Sequence, residues 1–376
     1  MRALAFALGL AAPMIVCAAA QLSELDVLRG VADASGFELA LTPRELRFPL
    51  DHGPHPAFRH EWWYVTGNLD SASGERFGFE LTFFRFALAP VGSEARPGEE
   101  AAGASGSRWR TRQIYLAHFA VTDVARGVFE FAQKYSRGAL GLAGAQASPL
   151  RVWVEDWSLA GMNDSWRLHA HGRDYDVSLD VTPRGAPILN GDRGLSRKSD
   201  EPGAASYYYS IPRMAVRGEI TRGGRNAEVH GLAWLDREWG SGALGPQQQG
   251  WDWFALQLQD GSTLMFYALR DKNGARDPHS AGTWVSARGA VRSLSSGDVQ
   301  IDVLDHWVSP LGGRYPSRWR LRVPGAGIDV EIRPVLANQE LGTRPRYWEG
   351  AVDVRGGPGG ASAAGRGYVE LVGYGE

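Results

Sequence analysis

Carboxylates and indole rings lie side by side at four places in this chain of 376 residues, which contains 14 Trp. Each place combines an acidic residue with large aromatic rings: HEWWY (60–64), WLDREWG (234–240), GWDWF (250–254) and YWEG (347–350). A buried carboxylate is costly unless it is paired with a cation or keeps its proton. These clusters therefore indicate either buried ion pairs or an acid placed beside an apolar ligand.

The WLDREWG segment carries the clearest chemistry. On a strand, Asp236 and Glu238 lie two residues apart and share one face with Trp234, whereas Arg237 points to the other face. A carboxyl in an apolar aromatic pocket keeps its proton near neutral pH and can protonate an alkene or a carbonyl. Aromatic faces stabilise a developing cation, and a second carboxylate or a Tyr can steer water. This pattern predicts the addition of water to a double bond, or the rearrangement of a polyene.

A structural interpretation fits the same residues. Trp62 with Arg85, and Trp251 with Arg270, could pack together to close one end of a small barrel. The acidic residues of the clusters could equally be bound to the many arginines of the chain. Both interpretations stay open at the level of the sequence.

Other common chemistries lack their signatures. Histidines occur in DHGPHPAFRHE (51–61), but Tyr64 stands where a zinc-binding helix needs its second His, and the prolines favour a loop. The sequence contains no G-x-S-x-G elbow, no phosphate-binding loop and no dinucleotide fingerprint. We therefore predict no metal site and no cofactor.

The first residues predict export. Residues 1–20 begin with a positive charge, continue as a short apolar run and end in AAA, as a cleavable signal peptide does. The only cysteine, Cys17, lies in this leader, and the bulky Val16 before it disfavours attachment of a lipid. No later stretch is long and apolar enough to span a bilayer. We expect a periplasmic or secreted protein without a permanent membrane span.

Charge gives no case for a nucleic-acid partner. The formal net charge is −2 and the sequence pI is about 6.5, which is not the basic balance that binding to phosphate backbones requires.

Two-residue alternation predicts an all-β fold. Apolar residues alternate with others in segments 77–83, 115–121, 175–181 and 254–258, and the Asp260-Gly261 turn favours a hairpin. Helical spacing is confined to Leu22–Val31. Many short strands with Gly-rich turns are typical of a β-sandwich or β-barrel.

A weak internal repeat predicts two domains. Segment 62–85 and segment 251–270 both read as an aromatic strand, a turn and an aromatic strand ending in Arg. We place the boundary at the RGGR turn (222–225) and expect long loops at Pro90–Ser107 and Gly356–Gly367. The irregular segment Pro183–Ala205, with its GLSRK motif, is expected to line a site.

The chain resembles the AttH-like family that includes carotenoid 1,2-hydratase (hydroxyneurosporene synthase) and proteins labelled secreted hydrolases. The matching stretches include FPLDHGPHPAFRHEWWYVTGNL (48–69), FGFELTFFR (77–85), RQIYLAHFAVTD (112–123), YSRGALGLAGA (135–145), LNGDRGLSRKS (189–199), ASYYYSIPR (205–213), NQEL (338–341) and GYVELVGY (367–374), besides the clusters above. The resemblance implies two lipocalin-like antiparallel β-barrels packed together, at 44–222 and 223–376. It also implies a pocket in or between the barrels for a hydrophobic small molecule of isoprenoid or lipid-like type.

The resemblance also selects candidate site residues. The catalytic candidates that it implies are Asp236, Glu61, Glu238, Tyr64 and Tyr208, and the substrate-binding candidates that it implies are Trp234 and Trp253. The aromatic clusters add Trp63 and Trp239 as further substrate-binding candidates. In this hypothesis Asp236 is the general acid of a hydratase, and Glu61 or Glu238 orients water. The alternatives are a carrier of a lipophilic ligand that performs no chemistry, and a secreted hydrolase. The hypothesis requires Asp236 and Glu61 to share one hollow rather than sit in separate salt bridges.

Overall fold

The computed structural model describes residues 34–92, 111–162, 165–242, 244–357 and 364–375. The predicted signal peptide 1–20 with Cys17, and the helix expected at Leu22–Val31, lie outside these residues. The two expected long loops are described only at their ends. Among the described residues, none of the helices has the length and apolar character needed to cross a bilayer.

The first sheet contains thirteen strands: β1 (His60–Ser71), β2 (Arg76–Ala87), β3 (Gln113–Asp123), β4 (Val128–Arg137), β5 (Ala143–Ala147), β6 (Leu150–Val154), β7 (Trp157–Met162), β8 (Ser165–His171), β9 (Tyr175–Pro183), β10 (Ile188–Leu189), β11 (Leu195–Arg197), β12 (Ala205–Arg222) and β13 (Arg225–Gly240). Their order is β4-β3-β2-β1-β13-β12-β9-β8-β7-β6-β5, and β10 and β11 pair with β12. After β12 the chain turns back as β13, which pairs with β12 on one side and with β1 on the other. β13 therefore lies near the middle of the sheet.

The second sheet contains ten strands: β14 (Gln248–Leu258), β15 (Thr263–Asp271), β16 (Ala281–Val285), β17 (Val291–Ser295), β18 (Gln300–Val308), β19 (Arg314–Val323), β20 (Ile328–Pro334), β21 (Glu340–Leu341), β22 (Tyr347–Gly356) and β23 (Gly365–Leu371). Their order is β17-β16-β15-β14-β23-β22-β20-β19-β18, and β21 pairs with β22. Short 3₁₀ turns lie at Leu50–His52, Ser296–Asp298 and Pro324–Ala326. The two curled antiparallel sheets confirm the predicted all-β, two-part lipocalin-like architecture.

The RGGR segment does not separate the sheets. Arg222 and Arg225 face each other across a hairpin whose central residues, Gly223 and Gly224, have φ of +53° and +76°. Both angles are positive, as in the tight turns that join neighbouring strands, and glycine adopts them without strain. The predicted boundary at 222/223 thus falls inside the first sheet, and the chain passes to the second sheet between 240 and 248.

Strand β1, in the middle of the first sheet, is buried on both faces. Consecutive β1 residues Trp63, Tyr64 and Val65 are exposed by 1%, 6% and 1%, so neither face of this strand meets solvent. One face packs into the core inside the first sheet, whereas the other joins a cluster shared with the second sheet. That shared cluster contains Tyr64, Tyr208, Trp234, Trp253, Ala255, Met265, Tyr267, Leu269, Ala351 and Tyr368.

A buried ion cluster occupies the inner face of β1 and β13. The carboxylate of Glu61 accepts hydrogen bonds from the guanidinium groups of Arg85 and Arg237, and all three side chains are fully buried. The backbone N–H of His55 donates to both carboxylate oxygens at 3.1 and 3.0 Å, and the Arg237 guanidinium lies 3.8 Å from the Trp63 ring centre. Burial opposes the charge, but Arg237 and Arg85 outweigh it and hold the pKa of Glu61 well below its usual range.

We predict that Glu61→Gln lowers the free energy of unfolding by about 3–5 kcal/mol, because it leaves two buried guanidinium groups without their countercharge. Urea denaturation measures the loss. The matched control is Glu331→Gln, since Glu331 forms ion pairs with partly exposed arginines, and we expect a loss of about 0–1 kcal/mol there. Equal losses in the two variants would contradict the structural role of Glu61.

Candidate functional site

Strand register brings the outward-facing residues of three strands together. Within the first sheet, the Cα of Asp236 is opposite that of Tyr64 on β1, and the Cα of Glu238 is opposite those of Trp62 on β1 and Tyr208 on β12. Side chains two residues apart share a face of a strand. Asp236 and Glu238 therefore point together into the space between the sheets, as the sequence predicts.

A cavity of about 120 Å³ lies in this space. From the first sheet it is lined by Trp62, Tyr64, Tyr208, Asp236 and Glu238, among others. From the second sheet it is lined by Trp251, Trp253, Tyr267, Tyr347 and Glu370, among others. The cavity is therefore formed between the two sheets rather than inside either core.

Asp236 is surrounded by hydrogen-bond donors. Its Oδ1 accepts hydrogen bonds from the indole N–H of Trp234 at 2.6 Å and from the hydroxyl of Ser210 at 2.5 Å. Its Oδ2 accepts a hydrogen bond from the hydroxyl of Tyr208, which in turn accepts one from the indole N–H of Trp253 at 3.2 Å. The carboxyl is held rigidly at the wall of the cavity, and no arginine or lysine is paired with it in the described part of the chain.

Burial raises the pKa of Asp236 to about 7, although its hydrogen bonds from Ser210, Tyr208 and Trp234 act in the opposite direction. The charge of Glu238 adds to the increase. A carboxyl with this pKa exchanges its proton near neutral pH, which suits a general acid or base.

Glu238 differs from Asp236 because a cation lies beside it. The ammonium group of Lys198 lies 3.3 Å from the Glu238 carboxylate, which also accepts a hydrogen bond from the hydroxyl of Ser206. Lys198 also lies 4.0 Å from the ring centre of Tyr267. Burial disfavours the ammonium charge, but Glu238 outweighs it and raises the pKa of Lys198. Lys198 therefore stays a cation, and it is the residue of the GLSRK motif that lines the cavity.

The second sheet contributes an acid that sequence analysis missed. Glu370 of β23 lines the cavity and accepts a hydrogen bond from the indole N–H of Trp251. Burial raises its pKa to about 7, the hydrogen bond from Trp251 opposes the increase, and the charge of Asp236 adds to it. No aromatic cluster marks Glu370 in the sequence; only its place two residues after Tyr368 on an alternating strand could have indicated it.

The structure separates three predicted site residues from the others. Glu61 sits in the ion cluster on the inner face, contrary to the expectation that it shares a hollow with Asp236. Trp63 belongs to the inner core beneath the Arg237 guanidinium. Trp239 belongs to the same core, where its ring stacks on His55 at 3.8 Å. All three have odd residue numbers on β1 or β13, and the odd-numbered side chains of these two strands face away from the cavity.

The other six candidates meet at the cavity. Tyr64, Tyr208, Asp236, Glu238 and Trp253 line it directly. Trp234 lies behind them as a donor to Asp236 and packs edge-on against Trp253 at 6.2 Å.

The histidines of segment 51–61 bind protein groups. His55 contacts Asp51 at 2.8 Å and Glu61 at 3.3 Å, and His52 lies 2.6 Å from the Tyr209 hydroxyl. Within the described ranges, no three or more His, Cys, Asp or Glu side chains are grouped so that they could hold a metal ion.

The chain has relatives among known proteins, both by sequence and by fold. A family model described as AttH-like matches residues 39–374. A crystal structure of a Nitrosomonas europaea protein assigned to AttH is 34% identical, with a TM-score of 0.78 over 90% of this chain and 100% of that chain.

More distant structures share the fold. Kievitone hydratase from Nectria haematococca is 14% identical, with a TM-score of 0.66 over 90% of this chain and 96% of that chain. CghA, crystallised with Sch210972, is 12% identical, with a TM-score of 0.51 over 91% and 97% of the two chains. By sequence, the chain is 23% identical over 216 residues to the dehydratase asqC of Emericella nidulans, a match that covers 53% of this chain and only 58% of the dehydratase.

We predict that Asp236→Asn changes how stability depends on pH. Because folding raises the pKa of this carboxyl from 3.8 to about 7, the folded state binds the extra proton and stability falls as pH rises from about 4 to 7. The variant lacks this titration, so it should gain about 3–4 kcal/mol relative to the wild type across that window. Urea denaturation at a series of pH values measures the difference.

The control for this series is Asp329→Asn. Its hydrogen bond from Arg320 lowers the pKa of Asp329, so its difference from the wild type should be flat above about pH 5. A flat difference curve for Asp236→Asn as well would show that Asp236 titrates normally.

Proposed function

The chain belongs to the AttH-like family, and from this premise we propose that it is a hydratase-type enzyme. In this proposal it adds water across a double bond of a mainly apolar small molecule in the cavity between the sheets, or removes water from an alcohol to form such a double bond. Addition of water to a carotenoid, which the sequence resemblance implies, is one reaction of this class.

The observation that supports the proposal most strongly is the state of Asp236. This carboxyl is 4% exposed, lies at a cavity wall among indole and phenol groups, and has a pKa of about 7. It can therefore hold a proton at neutral pH and donate it to a bound molecule without a preceding change in the protein. Trp253 and Tyr208 present aromatic groups beside it, and these can stabilise positive charge that develops on a protonated alkene.

Glu238 has the complementary role in this proposal. Its carboxyl group lies 3.3 Å from the Lys198 ammonium group, and its position two residues from Asp236 places both acids on the same cavity wall. A carboxylate so placed can orient a water molecule and accept its proton while Asp236 donates one. The two acids are thereby assigned opposite roles, which is the pattern expected for an acid–base pair.

The names of two relatives support this class of reaction: one is a hydratase and one is a dehydratase. We propose that the same chemistry applies here, on an isoprenoid or lipid-like substrate. We also propose that the protein acts after export to the periplasm or beyond, because residues 1–20 read as a cleavable leader.

Incorporation of ¹⁸O from labelled water into a product tests the proposal. The full-length protein is incubated in ¹⁸O-labelled water with kievitone, with an acyclic carotenoid and with any lipid that co-purifies, and products are examined by mass spectrometry. We expect one labelled water to be added, and Asp236→Asn to slow this by about 10²–10⁴-fold while circular dichroism stays unchanged. Asp329→Asn should keep the wild-type rate, because Asp329 is a partly exposed residue of β20 that pairs with Arg320 and does not line the cavity.

The pH dependence of the rate provides a second criterion. Because the acid must be protonated, the wild-type rate should fall as pH rises through about 7. Full activity in Asp236→Asn would overturn the assignment of the acid. A lipid that co-purifies and exchanges with added lipid, but never incorporates ¹⁸O, would instead favour a carrier of a lipophilic ligand that performs no chemistry.

A further inference from the structure

Aromatic side chains from both sheets line the cavity. Eight of its lining residues carry a phenyl, phenol or indole ring: Trp62, Tyr64, Phe84, Tyr208, Trp251, Trp253, Tyr267 and Tyr347. The faces of such rings carry partial negative charge and attract a cation within about 6 Å of the ring centre. A cavity with these walls suits an apolar ligand, and it also suits an apolar ligand that carries a positive charge.

Acidic groups outnumber cationic groups around the cavity. Among the described residues that line it, Asp236, Glu238 and Glu370 have carboxyl groups, and Lys198 alone is a cation. His60 also lines the cavity, but burial lowers its pKa to about 4 and keeps its ring neutral. The cavity therefore carries net negative charge when its acids are ionised.

Lys198 pairs with only one of the three acids. Its ammonium group lies 3.3 Å from Glu238. Asp236 accepts hydrogen bonds from three uncharged groups, and Glu370 accepts one from the indole N–H of Trp251. Burial raises the pKa of both Asp236 and Glu370 to about 7, and the charge of Asp236 adds to the increase at Glu370. Both acids thus lack the countercharge that a carboxylate shielded from bulk water requires.

The Lys198 ammonium group shows how the wall of this cavity accommodates a cation. It lies 4.0 Å from the ring centre of Tyr267 and 5.4 Å from that of Tyr208, and it donates a hydrogen bond to the hydroxyl of Ser196 at 3.2 Å. Phenol rings, a hydroxyl and the Glu238 carboxylate thus replace the water that an exposed ammonium ion binds. The second sheet supplies a further indole ring and carboxyl that contact each other without a cation from the described chain.

We propose that the cavity binds organic cations, namely apolar molecules that carry a protonated tertiary amine or a quaternary ammonium group, and that such molecules inhibit the enzyme. The cation lies among the aromatic rings and supplies the countercharge that Asp236 and Glu370 lack. Asp236 then loses the proton that it donates during hydration, while the ligand resembles the cation formed when an alkene is protonated. The inference rests on the proposed function where it concerns inhibition, and the binding of cations goes beyond it.

Binding of a cation is coupled to the ionisation of Asp236 and Glu370. With pKa values of about 7, each acid is about tenfold more ionised at pH 8 than at pH 6. The affinity for a cation should therefore rise by about tenfold over this range for each acid that has to ionise.

Other titratable groups face these two acids from several elements. They are His60 and Tyr64 on β1, Glu80 on β2, Tyr208 on β12, Glu238 on β13, Tyr267 on β15, Tyr347 and Glu349 on β22, and Lys198 after β11. Burial raises the pKa of Glu80 to about 8, so this group titrates close to the same range. Substitution of Asp236 and Glu370 therefore has to accompany the pH series.

A matched pair of probes tests the cation site without knowledge of the natural substrate. Choline and 3,3-dimethylbutan-1-ol have the same shape and differ only in a quaternary nitrogen replaced by a carbon. Both are titrated into the full-length protein, and the NMR signals of the tryptophan indole N–H groups report binding. At pH 8 choline should bind about three- to thirtyfold more tightly than the alcohol. Only the affinity for choline should decrease at pH 6.

Asp236→Asn and Glu370→Gln test the two acids one at a time. Each variant should remove about tenfold of the pH dependence of choline binding, because a neutral amide replaces an acid that titrates. Neither should change binding of the alcohol. The matched control is Asp329→Asn, which removes an acid away from the cavity and should keep the wild-type behaviour. Choline should also slow ¹⁸O incorporation by the wild type, and more strongly at pH 8 than at pH 6.

Equal affinities for the two probes, or a preference for choline that is the same at pH 6 and pH 8, would rule out the cation site. So would a preference that survives in both acid variants, because choline would then bind elsewhere. These outcomes leave the proposed function intact, since ¹⁸O incorporation is measured without an amine. A preference for choline in a protein that never incorporates ¹⁸O would support the cation site and overturn the hydratase proposal alone.

Discussion

Strand β1 and residues 233–240 of the adjacent strand β13 are buried on both faces, and the rest of the structure depends on how they accommodate carboxylates on each face. On the inner face, Glu61 is neutralised by Arg85 and Arg237. On the outer face, Asp236 accepts hydrogen bonds from hydroxyl and indole donors, and no arginine or lysine of the described ranges forms an ion pair with it. A buried carboxylate must either find a countercharge or keep its proton. Glu61 has two countercharges and stabilises the fold, whereas Asp236 keeps its proton and can exchange it near neutral pH.

This division explains why the site lies between the sheets. The inner face is filled by large side chains such as Trp63 and Trp239, and Glu61 does not line the cavity. The outer face meets a second sheet that contributes Trp253, Tyr347 and Glu370. Neither sheet alone encloses the cavity, so packing of the two sheets is itself what shields Asp236 from water and raises its pKa. Stability and function are therefore coupled through the contact between the sheets.

Alternation predicted part of this site and could have predicted more. It placed Trp234, Asp236 and Glu238 on one face, as the structure has them. Applied to segment 60–64, the same rule places Glu61 and Trp63 on one face of the strand and Tyr64 on the other face. The family resemblance instead groups Glu61 with Tyr64. The two glycines of the RGGR turn indicate a hairpin, which the structure contains at the place where the sequence analysis sets the domain boundary. Tyr347 stands in the YWEG cluster and Glu370 on an alternating strand, but no local pattern places either beside Asp236, because only the packing of the two sheets brings residues so distant in the chain together.

The most direct test of this account is a titration of Asp236 itself. With aspartate labelled at the side-chain carboxyl by ¹³C, the NMR signal that disappears in Asp236→Asn identifies the group, and its chemical shift is followed from acid to mildly alkaline pH. The account predicts a midpoint near 7 for this one carboxyl. A midpoint at about 4, the ordinary value for Asp, would contradict it.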